Sequence, residues 1–184
     1  MTCELLVRYG AIPEIGRFAC AGETVPTRGT SVVVQTLRGR ELGTVLESAR
    51  PVPPPASRFV APDEHPPSEQ ELSSQRVLHV ASREDLEHAA MLRTEAQRAF
   101  ADWQRRMAGW NLQLDLIDLE WTLDRQKLLL YVLGGRGPET TRLALLAAAA
   151  GLSVVDVQPV GPEGIVAEPK KSGGCGSGGC GCSH

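Results

Sequence analysis

Aromatic residues are scarce in this chain: three Trp, two Tyr and three Phe among 184 residues. A core must therefore come mainly from Leu, Val and Ala, and platforms for stacking bases are few. No long hydrophobic run is present. The longest, LALLAAAAGL at 143–152, is about half of what a membrane span needs. The start, MTCELLVRYG, lacks a basic stretch followed by an apolar one, so no secretory signal is read there and a cytoplasmic location is expected. Positive charge is not in surplus either. The formal net charge is −3, so any contact with RNA needs a local basic patch rather than a global field.

Catalytic constellations are also lacking. The sequence offers no nucleophile–base–orienter set and no dinucleotide fingerprint. GGRGPE places glycines before a helix but has no Lys-Ser/Thr to cradle phosphate. The expectation is a non-enzyme with no small-molecule substrate and no membrane partner. Of the five cysteines, Cys3 and Cys20 read as small hydrophobes in strands, with a bridge between them as the second reading.

What is present divides into four stretches. Residues 1–49 read as an all-β unit, a small SH3-like barrel of short strands punctuated by glycines. Within it, Arg38 to Glu41 sits between two apolar runs as a tight hairpin, with Gly39 supplying a positive φ. Residues 50–75 hold seven of the thirteen prolines and read as a linker, because each Pro removes a donor and fixes φ.

Residues 76–161 are more regular. RVLHVA is a strand, and Ser82 with Asp85 three residues on forms a capping box. Leu86, Ala89, Leu92, Ala96, Phe100, Trp103 and Met107 then follow at helical spacing, with Gly109 as the breaker. NLQLDLIDLEWTLD alternates in two phases that slip between Leu116 and Ile117, which predicts a β-bulge. KLLLYVLG is a second strand, Pro138 opens a helix that Gly151 closes, and SVVDVQPV is the last strand. The order β-α-β-β-α-β predicts a ferredoxin-like domain, and the fold class is α+β. Residues 162–184 read as a flexible Gly/Cys tail.

RGTSVVVQTLRGRELGTVLE, the stretch from RVLHVASREDL to DLEWTLDRQKLLLYVLGG, and VVDVQPVG together resemble the YaaT-like family. Its shared module is the polymerase-suppressor protein C-terminal domain. TLRGRELG, VASREDL and DLEWTLDRQKLLLYV are the most specific pieces. The resemblance implies a cytoplasmic regulatory or adaptor protein without catalytic activity, acting with protein partners in RNA processing or turnover. It also implies RNA as a further partner and an association of the complex with iron–sulfur clusters.

Three groups of side chains are candidates for chemistry. Cys175, Cys180, Cys182 and His184 give Cys-x4-Cys-x-Cys-x-His. Four thiolate or imidazole donors is the number a tetrahedral zinc site needs, but the Cys-x2-Cys pair of a zinc knuckle is absent and the glycines preorganise nothing. The tail therefore reads either as unliganded chain or as ligands for zinc or an iron–sulfur cluster, with a partner completing the site. Arg93, Arg98, Arg105 and Arg106 on the long helix, with Arg125 and Lys127 at the hairpin, form the one candidate surface for nucleic acid or a partner; equal acidic content on that helix favours a salt-bridged solvent face. Asp115, Asp118, Glu120 and Asp124 mostly alternate opposite the leucines and read as a solvated face rather than an active site. His79 and His88 read as lone surface or packed residues.

Overall fold

The computed structural model describes residues 2–21, 24–48 and 75–166. Strands β1 (Thr2–Tyr9) and β2 (Glu14–Ala21) form an antiparallel hairpin around Gly10, whose φ of +81° suits a residue without a Cβ. Strands β3 (Ser31–Gln35) and β4 (Arg40–Ser48) form a second, and β4 also pairs with β1. Strand β5 (Arg76–Val80) lies between β2 and β3, closing a barrel in the order β1-β2-β5-β3-β4. Leu5, Val7, Phe18, Val32, Val34 and Val45, all essentially inaccessible, fill it.

The second unit is a sheet in the order β6-β7-β8-β9, with β6 at Asp115–Trp121, β7 at Leu128–Leu133, β8 at Val155–Gly161 and β9 at Gly164–Ile165. Helix α1 (Arg83–Gly109) packs on β6 and helix α2 (Pro138–Ala149) on β8. Ala96, Trp103 and Met107 of α1 meet Leu143 and Ala147 of α2 over Leu116, Leu119, Leu128, Leu130 and Val132, so both helices cover one face. On β7 Leu129, Tyr131 and Leu133 alternate to the opposite face, where Leu129 and Tyr131 are fully buried and Leu133 is exposed.

The α+β class stands, but the ferredoxin-like arrangement does not form. That arrangement needs the strand at 76–80 between β7 and β8. Instead β7 and β8 pair directly in parallel at six positions, and β5 pairs with β3 and β2. The physical reason is the free edge of β3: Val32, Val33 and Val34 leave a β-branched edge that β5 covers, with Val77 packed on the barrel core. The barrel thus draws its fifth strand from beyond the proline-rich stretch, and residues 1–49 do not complete it. At the other end, residues 162–166, expected to open the tail, form a turn and β9 against Val160 and Gly161.

Local signals match the structure closely. The register of β6 on β7 shifts between Leu116 and Asp118, with Ile117 as the extra, half-exposed residue, which keeps Leu116 and Leu119 on the helix face. Ser82 Oγ accepts the Asp85 N–H at 3.1 Å, and Asp85 Oδ2 accepts the Ser82 N–H at 2.8 Å. Gly109 does not break α1, which runs through it. The left-handed residue is Asn111, φ +52°, a type that tolerates that region.

Candidate functional site: a polar seam between barrel and sheet

Two hairpins bring the barrel and the sheet together. The β3–β4 turn carries Arg38 and Gly39, and the β6–β7 turn carries Thr122 to Lys127. Their backbones join where the Leu123 N–H donates to the Arg40 carbonyl at 2.7 Å. Gly39 permits this approach. Its φ is +149°, and a Cβ there would stand 3.0 Å from Thr122 Cγ2.

Beneath the turns lies a buried ionic network. Arg38 donates through Nε and Nη2 to the two oxygens of Glu41 at 2.9 and 3.1 Å, a bidentate pair. Its Nη1 forms an ion pair with Glu14 at 2.6 Å, and its guanidinium lies 5.3 Å from the Tyr9 ring centroid. Thr36 Oγ1 donates to Glu41 at 2.9 Å. From the sheet, Glu120 accepts the Tyr131 hydroxyl at 2.6 Å and the Ala11 N–H at 2.8 Å, so one carboxylate oxygen ties the sheet to the β1–β2 turn.

The electrostatics follow from burial. Desolvation works against charge on Arg38, but Glu41, Tyr131 and Glu14 outweigh it, and the guanidinium holds its proton more firmly than a free arginine. Burial pushes Glu41 up despite Arg38. Burial, then the Glu120 charge, holds the Tyr131 phenol far above its ordinary range, and burial with Glu14 pushes Tyr9 up to about 12. Both phenols therefore stay protonated at neutral pH. What this set of residues does chemically is fasten: each carboxylate is occupied by protein donors or an ion pair.

The residues singled out in the sequence fall in several places. Arg93 pairs with Asp118 at 3.1 Å, and Arg125 pairs with Glu95 at 2.6 Å with its guanidinium 5.7 Å from the Trp121 centroid. Arg105 pairs with Asp102, whereas Arg98 and Arg106 are exposed along α1. Lys127 lines a cleft of about 410 Å³ between the two hairpins, with Gln35, Leu37, Arg40, Asp124 and Gln126. Three of the six cations are thus held by carboxylates.

Of the acidic residues, Asp118, Glu120 and Asp124 each have their own hydrogen-bond partners. Glu120 faces the barrel rather than solvent. Asp118 accepts the Leu119 N–H, and Asp124 accepts Thr122 Oγ1 at 2.7 Å. His88 Nε2 lies 3.1 Å from the Leu123 carbonyl, and His79 sits against Asp85. Cys175, Cys180, Cys182 and His184 lie outside the described residues. Among the described residues, no group of three or more His, Cys, Asp or Glu side chains is placed to hold a metal ion. No helix among them is long and apolar enough to cross a membrane.

Sequence reasoning missed the seam itself, although its two halves lay in stretches already marked by the resemblance. The available signal was the Arg38–Glu41 spacing in TLRGRELG beside a hairpin whose second strand, LLLYVL, is apolar on both faces.

A barrel fastened across such a seam to a helix-covered sheet defines an α+β module, and residues 75–133 match the PSP1 C-terminal conserved region. Over these stretches the chain is similar to the YaaT-like family. Over 100 residues it is 32% identical to the Stage 0 sporulation protein YaaT of Bacillus subtilis (strain 168), a match covering 54% of this chain and 32% of that protein. The chain therefore spans about a third of the length of the curated relative it matches. No solved structure matches it. The conserved region runs from β5 to the end of β7, so it straddles the seam: its first strand lies in the barrel and its last two in the sheet.

Proposed function

We propose that this chain is a non-catalytic regulatory adaptor that works through protein partners in RNA processing or turnover, in the cytoplasm. The match of residues 75–133 to the PSP1 C-terminal conserved region, with the similarity to YaaT, is the observation that carries this reading. The polar residues of the seam support it, because their hydrogen bonds and ion pairs hold two units in one arrangement. Exposed Arg98 and Arg106 are the side chains to present to an acidic partner or to RNA, since among the described residues neither is engaged by a carboxylate as Arg93, Arg105 and Arg125 are. The test is affinity capture of the full chain against an Arg98→Glu, Arg106→Glu variant. Recovery of RNA-processing proteins or crosslinked RNA by the wild type, lost in the variant, supports the reading. Recovery of neither by the wild type overturns it.

A second reading rests on the clustering of Cys175, Cys180, Cys182 and His184: the tail handles zinc or an iron–sulfur cluster, with a partner supplying the remaining ligands. Metal and sulfide analysis of the full chain, purified with and without oxygen, is compared with a version ending at Lys171. Equal content in both removes this reading.

A further inference from the structure

The barrel carries a feature that the adaptor reading does not use. Cys3 and Cys20 stand directly opposite each other in the antiparallel β1–β2 register. Side chains of directly opposed residues project from the same face, and their Cα atoms are about 4.5–5.5 Å apart. A disulfide needs about 4.4–6.8 Å. The inward face of the hairpin runs through the pairs Cys3–Cys20, Leu5–Phe18 and Val7–Gly16. Cys20 belongs to the barrel core and Cys3 packs against it, so both thiols point inward. The Cys3 thiol donates to the Cys20 carbonyl at 3.7 Å, and both cysteines are free.

We propose that Cys3 and Cys20 form a reversible oxidation site that closes to a cross-strand disulfide by exchange with a low-molecular-weight disulfide of the glutathione type. Cys3 is half-buried and meets the reagent first, while Cys20, 6% exposed, is shielded. The Cys3 thiolate attacks one reagent sulfur, forming a mixed disulfide and releasing one reagent thiolate. Cys20 then gives its proton to solvent and attacks Cys3 Sγ, breaking the mixed disulfide and releasing the second. Two protein thiols and one reagent disulfide become one protein disulfide and two reagent thiols, with two electrons passing to the reagent. Burial, and then the Cys3 thiol, raise the Cys20 pKa, which suits the slower resolving role. The bridge would staple the first strand of the barrel to the second, on the flank where β5 joins β2 by a single residue pair.

The test uses the full chain, incubated without denaturant in mixtures of reduced and oxidised glutathione, alkylated and digested with trypsin. Cleavage after Arg8, Arg17 and Arg28 separates peptide 1–8 from peptide 18–28, and both from the tail peptide 172–184. The expected product is 1–8 joined to 18–28, two hydrogens lighter than their sum and reversed by dithiothreitol. A Cys175→Ser, Cys180→Ser, Cys182→Ser variant retains it, and Cys3→Ser abolishes it while leaving the unfolding transition in place. The oxidised form unfolds at higher urea than the reduced form. Peptides 1–8 and 18–28 that stay free, stop at glutathione adducts or join only to the tail overturn the proposal.

Discussion

Tyr131 and Glu120 occupy neighbouring strands of the sheet, and the phenol donates to the carboxylate at 2.6 Å on the face turned to the barrel. The same oxygen takes the Ala11 N–H from the β1–β2 turn. One carboxylate oxygen therefore takes donors from both units. Tyr131→Phe removes one donor and leaves the buried phenyl packing in place. It is expected to lower unfolding stability by about 1.5–3 kcal/mol, the range for hydrogen bonds to charged groups. Glu120→Leu loses both donors' partner and costs more. Urea titration checks this, and a Tyr131→Phe midpoint equal to wild type would contradict it.

Arg38 and Glu41 form the other half of the seam, with side chains 10% and 1% exposed. A buried ion pair is weak evidence of net stability, yet removing one partner strands a charge. Arg38→Met and Glu41→Leu are each expected to cost about 3–5 kcal/mol, and the double variant less than the sum of the two. Arg38→Lys is not a conservative change, because an ammonium cannot span both Glu41 oxygens and Glu14 at once. A double-mutant cycle followed by denaturant unfolding measures the coupling. Additive losses would show that the pair does not act as a unit.

Gly39 separates two effects that are usually confounded. An alanine there meets both a left-handed backbone, φ +149°, and Thr122 Cγ2 at 3.0 Å. Gly39→Ala is expected to cost about 1–3 kcal/mol. Adding Thr122→Ser removes the methyl but keeps the hydroxyl that Asp124 accepts, so it should recover the steric share and leave the backbone share. Full recovery in the double variant would mean that the backbone conformation costs nothing.

Local features were legible in the sequence because local chemistry produces them. The slip between Leu116 and Ile117 announced the bulge, Ser82 and Asp85 announced the helix start, and Pro138 and Gly151 bracketed α2. The partner of RVLHV was not legible. A five-residue strand with one apolar stripe declares itself a strand, but not whether it joins a barrel edge or a gap between β7 and β8. Glu120 was misread for a related reason. Alternation with Leu119 and Trp121 puts it opposite the helix face, and only the barrel packed on that side turns a solvated carboxylate into a buried acceptor.

The capping box at the start of α1 adds a pH dependence with a defined sign. Hydrogen bonds from Ser82, backbone first and then side chain, hold the Asp85 carboxyl below its ordinary range, with His79 adding to the effect. A carboxylate with a depressed folded pKa contributes stability that is fully present above the unfolded pKa and is lost as pH falls through the folded one. Asp124 acts in the same direction: burial opposes its charge, but Thr122 Oγ1 and the Gln126 N–H prevail. Wild type is therefore expected to lose stability on acidification below about pH 4. Asp85→Asn should lose less over that interval, because its cap no longer titrates. Ser82→Ala, which removes the hydroxyl that accepts the Asp85 N–H, should cost about 1 kcal/mol at neutral pH. Urea midpoints at pH 6 and pH 3 for the three proteins check both expectations. A wild-type midpoint that rises on acidification, or an Asp85→Asn protein that falls as steeply as wild type, would remove the cap from the account.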